Sequence, residues 1–187
     1  TVSRAQVGSE ISGVVLERRV TEGDQVKPGD LLVVLKSDEL LAQVRQAELA
    51  LTELATSRRP QATAELASAK AQLEQASREA ARRRNAEAGI LSAEEIEQAL
   101  EAERVARNNY ETVRLKAAAL STGQVEEASL REQLVAAQAQ LAKTRIRAAV
   151  AGTVLTRDVE PGDLVQPGQT LFTIALTGNT EIRVPLD

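Results

Sequence analysis

Apolar residues recur at alternating spacings of three and four positions through most of the chain, between Asp38 and Thr144. This is the heptad pattern of a left-handed coiled coil, in which the repeated residues form the seam between helices. The seam positions are Leu40, Val44, Ala47, Leu51, Leu54, Leu66, Ala69, Leu73, Ala76 and Ala80, then Ala106, Tyr110, Val113, Ala117, Leu120, Leu130, Leu134, Ala137 and Leu141. One sharp interruption at residues 88–92 divides the segment, so the pattern predicts two antiparallel helices that form a coiled-coil hairpin.

Short apolar runs of a different kind flank this segment. Residues 13–16 and 31–35 are rich in Val and Leu and are bounded by glycine and proline, which predicts short buried strands. The same pattern returns at residues 152–174 with a constant offset, and such an internal repeat is a strong signal of duplicated structure. The residues assigned to turns are Gly13, Gly23, Asp24, Pro28 and Gly29 in the first copy and Gly152, Gly162, Asp163, Pro167 and Gly168 in the second.

Neither copy is long enough to bury its own apolar face, because domains below ~40 residues seldom fold alone. The two copies are therefore expected to pack on each other with pseudo-two-fold symmetry. The predicted fold class is α+β. Residues 1–37 and 145–177 form one small β-sandwich from two halves, and residues 38–144 form the helical hairpin inserted between them.

Two irregular sites interrupt the heptads at similar distances from the tip. Pro60 cannot lie inside a helix without the loss of a backbone hydrogen bond. On the return run Ser-Thr-Gly follows Leu120, and Ser121 with Gln124 fits a capping box that restarts the helix. We interpret residues 58–60 and 121–123 as one shared joint, and two unrelated local kinks are the alternative.

The tip of the hairpin, residues 88–92, carries recognisable capping devices. Gly89 suits the left-handed conformation that often follows a helix, and Ser92 with Glu95 fits a capping box at the start of the next helix. Ala88, Ile90 and Leu91 are the apolar residues predicted to be exposed there. They indicate either a surface that docks onto a partner or an ordinary structural loop.

The composition excludes several classes of function. The chain has no His, Cys, Met or Trp, so the common transition-metal ligands are missing. No nucleophile stands beside a general base and there is no phosphate-binding loop, so we predict neither an enzyme nor a bound cofactor. A net charge of −4 gives no electrostatic reason to expect nucleic acid as a partner. No apolar run approaches the ~20 residues that span a bilayer.

The doubled pattern G-x-V-x(4)-V-x(2)-G-D-x-V-x-P-G-x-x-L resembles the two halves of a lipoyl or biotinyl domain. In such domains the modified lysine lies on the turn between the halves, where this chain has the hairpin and a displaced Lys36. A split lipoyl-like domain with an inserted helical hairpin is similar to the periplasmic adaptor, or membrane fusion protein, family (HlyD-like) of tripartite efflux pumps and type I secretion systems. The resemblance covers nearly the whole chain.

This resemblance implies an adaptor that bridges an inner-membrane exporter, either proton-driven or ATP-driven, and an outer-membrane channel. It implies self-association through the lipoyl-like domains into a hexameric ring. It places the protein in the periplasm, with an inner-membrane anchor provided by a segment outside this sequence. It also implies that residues 178–187 form the first strand of a β-barrel domain.

In this family the hairpin tip contacts the outer-membrane channel through Arg, Leu and Ser at a fixed spacing. Ser92 occupies the serine position, Asn85 stands at the leucine position, and Ala81 stands at the arginine position beside Arg82. The residues predicted to bind a partner are therefore Arg82, Asn85, Ala88, Gly89, Ile90, Leu91 and Ser92.

Two other classes of function are compatible with the same residues. The first is a lipoate- or biotin-carrying subunit of an enzyme complex, which an added cofactor mass on the intact protein would reveal. The second is a purely structural coiled-coil scaffold, which unchanged secretion and unchanged sensitivity to drugs and ions after deletion of the protein would favour.

Overall fold

A computed structural model describes residues 3–177 of the chain. Strands at both ends flank four α-helices. The elements are β1 Arg4–Gly8, β2 Gly13–Arg18, β3 Gln25–Val26, β4 Leu31–Leu35, α1 Asp38–Glu53, α2 Arg59–Arg84, α3 Ala93–Ala119, α4 Val125–Ala142, β5 Arg145–Arg147, β6 Gly152–Arg157, β7 Leu164–Val165 and β8 Thr170–Leu176. The chain divides into two compact units, one made from residues up to Arg45 with those from Val135 onward, and one from Gln46–Leu134.

The first unit is a sandwich of two four-stranded antiparallel sheets. One sheet has the order β1-β8-β6-β3 and the other the order β5-β4-β2-β7, so each sheet mixes strands from both copies of the repeat. The core between the sheets is aliphatic apart from Phe172. It contains Val15, Val26, Leu32, Val33, Leu35, Ile146, Ala148, Val154, Val159, Val165, Leu171, Phe172 and Ile174. The prediction of a split lipoyl-like β-sandwich is therefore confirmed.

The pseudo-two-fold symmetry is visible in the hydrogen bonds that join the copies. Val154 N–H donates to Asp24 O and Val15 N–H donates to Asp163 O, each at 2.9 Å. In the turns, the side chains of Asp24 and Asp163 accept from the backbone N–H of Thr21 and Glu160, each at 2.8 Å. Each copy thus supplies the partners that the other copy's backbone needs, because buried N–H groups must be paired.

Most of the predicted turn residues lie in turns, but two do not. Gly23, Gly29, Gly162 and Gly168 all have φ between 82° and 95°, a conformation that favours glycine. Asp24, Pro28, Asp163 and Pro167 also lie in the loops between strands, as assigned. The assignment was wrong for Gly13 and Gly152, which begin strands β2 and β6.

The reason for glycine at those two strand starts is close packing. A Cβ on Gly152 would lie 2.1 Å from the Ala175 carbonyl oxygen, whereas a Cβ on Gly13 would lie 3.2 Å from a methyl group of Leu35. A backbone oxygen in a paired strand cannot move aside, but the end of a leucine side chain can. Gly152 is therefore fixed by the approach of β8, and Gly13 is constrained less tightly.

Two equivalent arginines converge on one carboxylate beside the second turn. Arg18 at the end of β2 and Arg157 at the end of β6 both reach Glu160, at 3.7 Å and 2.8 Å. Both arginines are largely covered and Glu160 is half exposed. The first copy has Thr21 in place of Glu160, so a single acid serves both copies.

The hairpin unit follows the predicted heptads. Every predicted seam position is buried or half-buried, and the sites at Leu54, Ala69, Ala80 and Leu120 are among the most buried of the hairpin. Alanine at many of these sites lets α2 and α3 pack closely but contributes little buried apolar area per residue. Burial along the hairpin therefore follows the predicted heptads.

The outward helix is not interrupted at residues 58–60, where an interruption was expected. A π-helical turn, Leu54–Arg58, joins α1 directly to α2, and Arg59 N–H donates to Leu54 O five residues earlier. Pro60 then falls in the first turn of α2, where a missing N–H is tolerated. The π-helical turn accommodates the proline without ending the helix.

The return run does break, and a buried acid organises the break. Glu127 is only 8% exposed. Its Oε2 accepts Gly123 N–H at 2.7 Å and Arg59 Nη2 at 3.2 Å, and its Oε1 accepts Arg131 Nη2 at 2.7 Å. Arg59 Nε also donates to Leu120 O at 2.8 Å. We call these contacts the Glu127 clamp, and they tie the outward helix to the broken segment.

The clamp replaces the capping box that was expected from Ser121 and Gln124. The Ser121 hydroxyl donates back to Ala117 O at 3.1 Å, so it ends α3 and does not start α4. The carboxylate of Glu127 takes the capping role instead, because it accepts an N–H just before α4. The Gly123 N–H, reinforced by the charges of Arg131 and Arg59, lowers the pKa of Glu127 against the opposing effect of burial.

The predicted first strand of a β-barrel domain, residues 178–187, lies outside the residues that the structure describes.

We expect Gly152→Ala to destabilise the sandwich by about 1–3 kcal/mol, as for other overpacked sites, because its Cβ meets a carbonyl oxygen. Gly13→Ala is the matched control and should cost less, because a leucine methyl group can shift. Hydrogen exchange of the β6 and β8 amides, followed by mass spectrometry, measures the change in this unit alone. Equal loss of protection in the two variants would contradict the explanation.

We expect Glu127→Gln to lower the urea midpoint of the hairpin by roughly twice as much as Glu126→Gln, or more. Glu126 makes one exposed ion pair with Arg58 at 2.8 Å and is the matched control on the adjacent residue. Circular dichroism at the helical band reports the unfolding. The same midpoint shift in both variants would show that the clamp has no special role.

The clamp should also make hairpin stability depend on pH. The folded state lowers the pKa of Glu127, so its stabilisation is fully present above the ordinary glutamate pKa of ~4.3. It is lost as the pH falls through the lowered pKa. Urea midpoints measured from neutral pH into acid should fall more steeply for the parent chain than for Glu127→Gln, and parallel curves would contradict this expectation.

Candidate partner-binding site

The tip loop connects the end of α2 at Arg84 to the start of α3 at Ala93. It therefore covers residues 85–92 and is longer than the predicted 88–92. Asn85 closes α2, because its N–H donates to Ala81 O at 3.0 Å. Gly89, with φ of 92°, lies in a separate turn within the loop and does not directly follow the helix as expected.

Ser92 begins α3 through the predicted capping box. Its hydroxyl oxygen accepts Glu95 N–H at 3.2 Å, and Glu95 Oε2 accepts Ser92 N–H at 2.8 Å. The Ser92 N–H is also the main reason that the pKa of Glu95 is lowered. The polar groups of Ser92 are thus engaged inside the hairpin, although the residue lies at the surface.

The arginines before the loop are paired along the surface of the hairpin. Arg82 and Arg83 both bind the carboxylate of Glu79, with 2.7 Å from Arg83 Nε to Glu79 Oε1. Arg84 lies 3.9 Å from Glu103 on α3. The hydrogen bond from Arg83 and then the charge of Arg82 lower the pKa of Glu79. These ion pairs partly neutralise the positive charge of the three arginines, although exposed ion pairs are weak.

The apex of the loop is where the predicted apolar residues are most accessible. Ala88, Gly89 and Ile90 are exposed, and the Ile90 side chain is 66% exposed. Leu91 is half-buried. A turn holds Ile90 in place, because its N–H donates to Glu87 O at 3.2 Å. Of the residues predicted to bind a partner, those at the exposed apex are Ala88, Gly89 and Ile90, while Ser92 caps α3.

Two acidic residues beside the apex were missed by the sequence-based prediction. Glu87 precedes Ile90 in the same turn, and Glu94 lies in the first turn of α3. Both are exposed, and within residues 3–177 neither one forms an ion pair, although Gln98 Nε2 donates to Glu94 Oε1 at 3.4 Å. The only signal in the sequence was the acidic start of α3, which is also explained by attraction to the helix dipole.

A second surface feature lies within the sandwich unit, where the chain leaves β4 and enters α1. An open groove of about 570 Å³ is lined there by residues that include Ile11, Val14, Lys36 and Leu40. Lys36 Nζ lies 3.7 Å from Asp38 at the start of α1. In this chain Lys36 thus leads into a helix, in contrast to a lysine at the centre of a turn between two strands.

Within the described part of the chain, none of the helices combines the length and apolar character needed to cross a membrane.

Comparison with known proteins gives curated relatives of similar sequence. One is a protein named UPF0194 membrane protein from Yersinia pseudotuberculosis serotype O:3 (strain YPIII), 30% identical over 203 residues. This match covers 97% of the present chain and 62% of the relative. YdhJ of Escherichia coli (strain K12) is 30% identical over 171 residues, covering 91% of the chain and 49% of the relative. The chain thus spans about half to two thirds of the length of these relatives.

Solved structures share the fold at low sequence identity. MacA from Actinobacillus actinomycetemcomitans matches with a TM-score of 0.59 and 19% identity, covering 94% of this chain and 52% of MacA. The soluble domain of LipC, described as a membrane fusion protein of a type I secretion system, matches with a TM-score of 0.60 and 19% identity. That match covers 94% of this chain and 100% of the LipC domain.

The match that assigns the family is the one that spans both the sandwich and the hairpin. It extends over residues 3–177, and its description is the barrel-sandwich hybrid domain of RND membrane fusion proteins. The sandwich built from two repeated halves, with the helical hairpin between them, is the architecture to which this match applies. The chain therefore belongs to the membrane fusion protein family, also called periplasmic adaptors.

Proposed function

We propose that this chain is the central part of a periplasmic adaptor that bridges an inner-membrane exporter and an outer-membrane channel. The observation that carries the proposal is a long hairpin, inserted in a lipoyl-like sandwich, whose tip exposes apolar residues. α2 and α3 contain 26 and 27 residues, so each is about 40 Å long at 1.5 Å per residue. Such a pair of helices acts as a spacer with the tip loop at one end.

The partner of the tip is an outer-membrane channel, and the partner on the other side is an exporter driven by protons or by ATP. The channel contact comes from the predicted tip residues, of which Ala88, Gly89 and Ile90 are the exposed apex. The protein works in the periplasm, held at the inner membrane by a part that lies outside this chain. Belonging to the membrane fusion protein family supports this arrangement.

Self-association into a hexameric ring is part of the same proposal. A ring needs two different surfaces on each subunit, because its contacts are head to tail. The repeat supplies two related but unequal outer faces. On one, Leu16 and Leu164 are 64% and 63% exposed and Val14 pairs with Leu164 across β2 and β7. The equivalent positions on the other face are Leu155, Gln25 and Thr153.

We expect chemical cross-linking of the full-length protein in cells to capture both an exporter and an outer-membrane channel, each identified by mass spectrometry. A variant with residues 85–92 replaced by a short glycine-serine turn should keep the exporter and lose the channel, because only the tip contact is removed. Capture of neither protein by the parent would contradict the adaptor function. Retention of the channel by the loop variant would remove the tip from the contact.

This chain has no cysteine, so disulfide cross-linking of a full-length protein from which any other cysteines have been removed tests the ring directly. Leu16→Cys combined with Leu155→Cys should give, on oxidation of the full-length protein in membranes, a ladder of disulfide-linked species that ends at six subunits. Each single variant is the control and should stay monomeric, because a head-to-tail contact brings unlike faces together. Strong dimers from Leu16→Cys alone would indicate a two-fold contact and contradict the ring.

A further inference from the structure

The geometry of the tip points to a specific kind of receptor, and we propose that Ile90 is the anchor residue, inserted into an apolar socket whose rim is basic. This inference rests on the proposed function, since it names the chemistry of the contact that the tip makes with the outer-membrane channel. The juxtaposition that carries it is one exposed aliphatic side chain with an exposed carboxylate on either side of it in the sequence, Glu87 in the tip loop and Glu94 in the first turn of α3.

Ile90 is the large aliphatic side chain most exposed in the loop, at 66%, while Leu91 is half-buried against the hairpin. Its neighbours Ala88 and Gly89 are small, so no bulky side chain on that side would hinder entry into a pocket. A turn closed by Ile90 N–H and Glu87 O fixes the backbone, which reduces the entropy lost on binding.

Several polar groups near the tip already have partners within the hairpin. Arg82 and Arg83 bind Glu79, and Arg83 is also attracted electrostatically to Glu95. The hydroxyl of Ser92 is held in the capping box. A partner that recognised arginine or serine here would have to break these contacts, and the gain from binding would be reduced by their loss.

Glu87 and Glu94 precede and follow Ile90 in the sequence, and both are exposed. Across the described residues neither forms an ion pair, although Gln98 Nε2 donates to Glu94 Oε1 at 3.4 Å. The three arginines in the last turn of α2 are paired with Glu79 and Glu103. The charge that a partner meets at the apex is therefore negative, and complementary surfaces in specific complexes pair opposite charges. A receptor for this apex combines an apolar pocket with lysine or arginine at its rim.

The experiment uses the full-length protein in cells, with the photoreactive residue p-benzoylphenylalanine placed at position 90. The matched control position is Val105, an aliphatic residue of α3 that is 57% exposed but far along the helix from the loop. We expect position 90, and not position 105, to cross-link to an outer-membrane protein. The cross-linked peptide should contain apolar residues, with lysine or arginine close by in the partner.

Charge reversals at the tip then test the basic rim. With the photoreactive residue kept at position 90, Glu87→Lys and Glu94→Lys should each reduce the cross-link yield several-fold, and the double variant roughly tenfold or more, as for loss of an interface hot spot. Glu111→Lys reverses the charge in the same sense but should leave the yield within about twofold, because this exposed residue lies far along α3 from the loop. Circular dichroism confirms that each variant is folded.

The outcomes separate this inference from the adaptor function. If position 82 cross-links to the channel and position 90 does not, or if Arg82→Glu abolishes the contact, the adaptor function stands and the Ile90 anchor is wrong. Cross-links from position 90 to lipid would replace the protein socket with a membrane surface. If neither position reaches any outer-membrane component, the channel contact itself fails and this inference fails with it.

Discussion

The sandwich depends on backbone hydrogen bonds that each half of the repeat can make only to the other half. Val154 bonds to the turn at Asp24, and Val15 bonds to the turn at Asp163, with nearly identical lengths. Both sheets contain strands from both halves, so neither half has a complete sheet alone. The hairpin is therefore inserted between two pieces of one cooperative unit. This explains why so small a domain, with one phenylalanine in its core, can carry a long helical insertion.

The hairpin needs polar contacts as well as its apolar seam. The seam is rich in alanine, and each of the two helical arms is irregular at one site. A π-helical turn accommodates Pro60 on one side, and residues after Leu120 leave the helix on the other. Backbone groups at such sites need partners. Arg59 and Glu127 provide them, through Leu120 O and Gly123 N–H. The Glu127 clamp thus joins the two helical arms where the apolar seam is interrupted, beside the small cluster of Leu54, Ala62 and Leu120.

The tip shows how internal contacts decide which residues remain for a partner. A residue type that suits recognition, such as arginine or serine, is less available when its polar groups already bind within the hairpin. Arg83 and Ser92 are in that position, whereas Ile90 and Glu87 are not. Membership of the family therefore does not mean that each tip residue of this chain makes the contact that the family residue makes at the same position. On the proposal above, Ile90 and Glu87 are the groups that a receptor would meet.

The sequence by itself determined the architecture, because two periodicities and one repeat encode it. The heptads predicted the seam residues, and the doubled glycine pattern predicted a sandwich made from two halves. Local capping by Ser92 and Glu95 was also readable, since those residues are three apart. Tertiary structure alone decided the Glu127 clamp, whose Arg59 partner is 68 positions away, and the need for glycine at position 152, which depends on the approach of β8. It also decided the short strands β1, β3 and β7, whose pairing partners lie far along the chain. Periodicity describes which face of an element is apolar, but it carries no information on which distant group fills a particular contact.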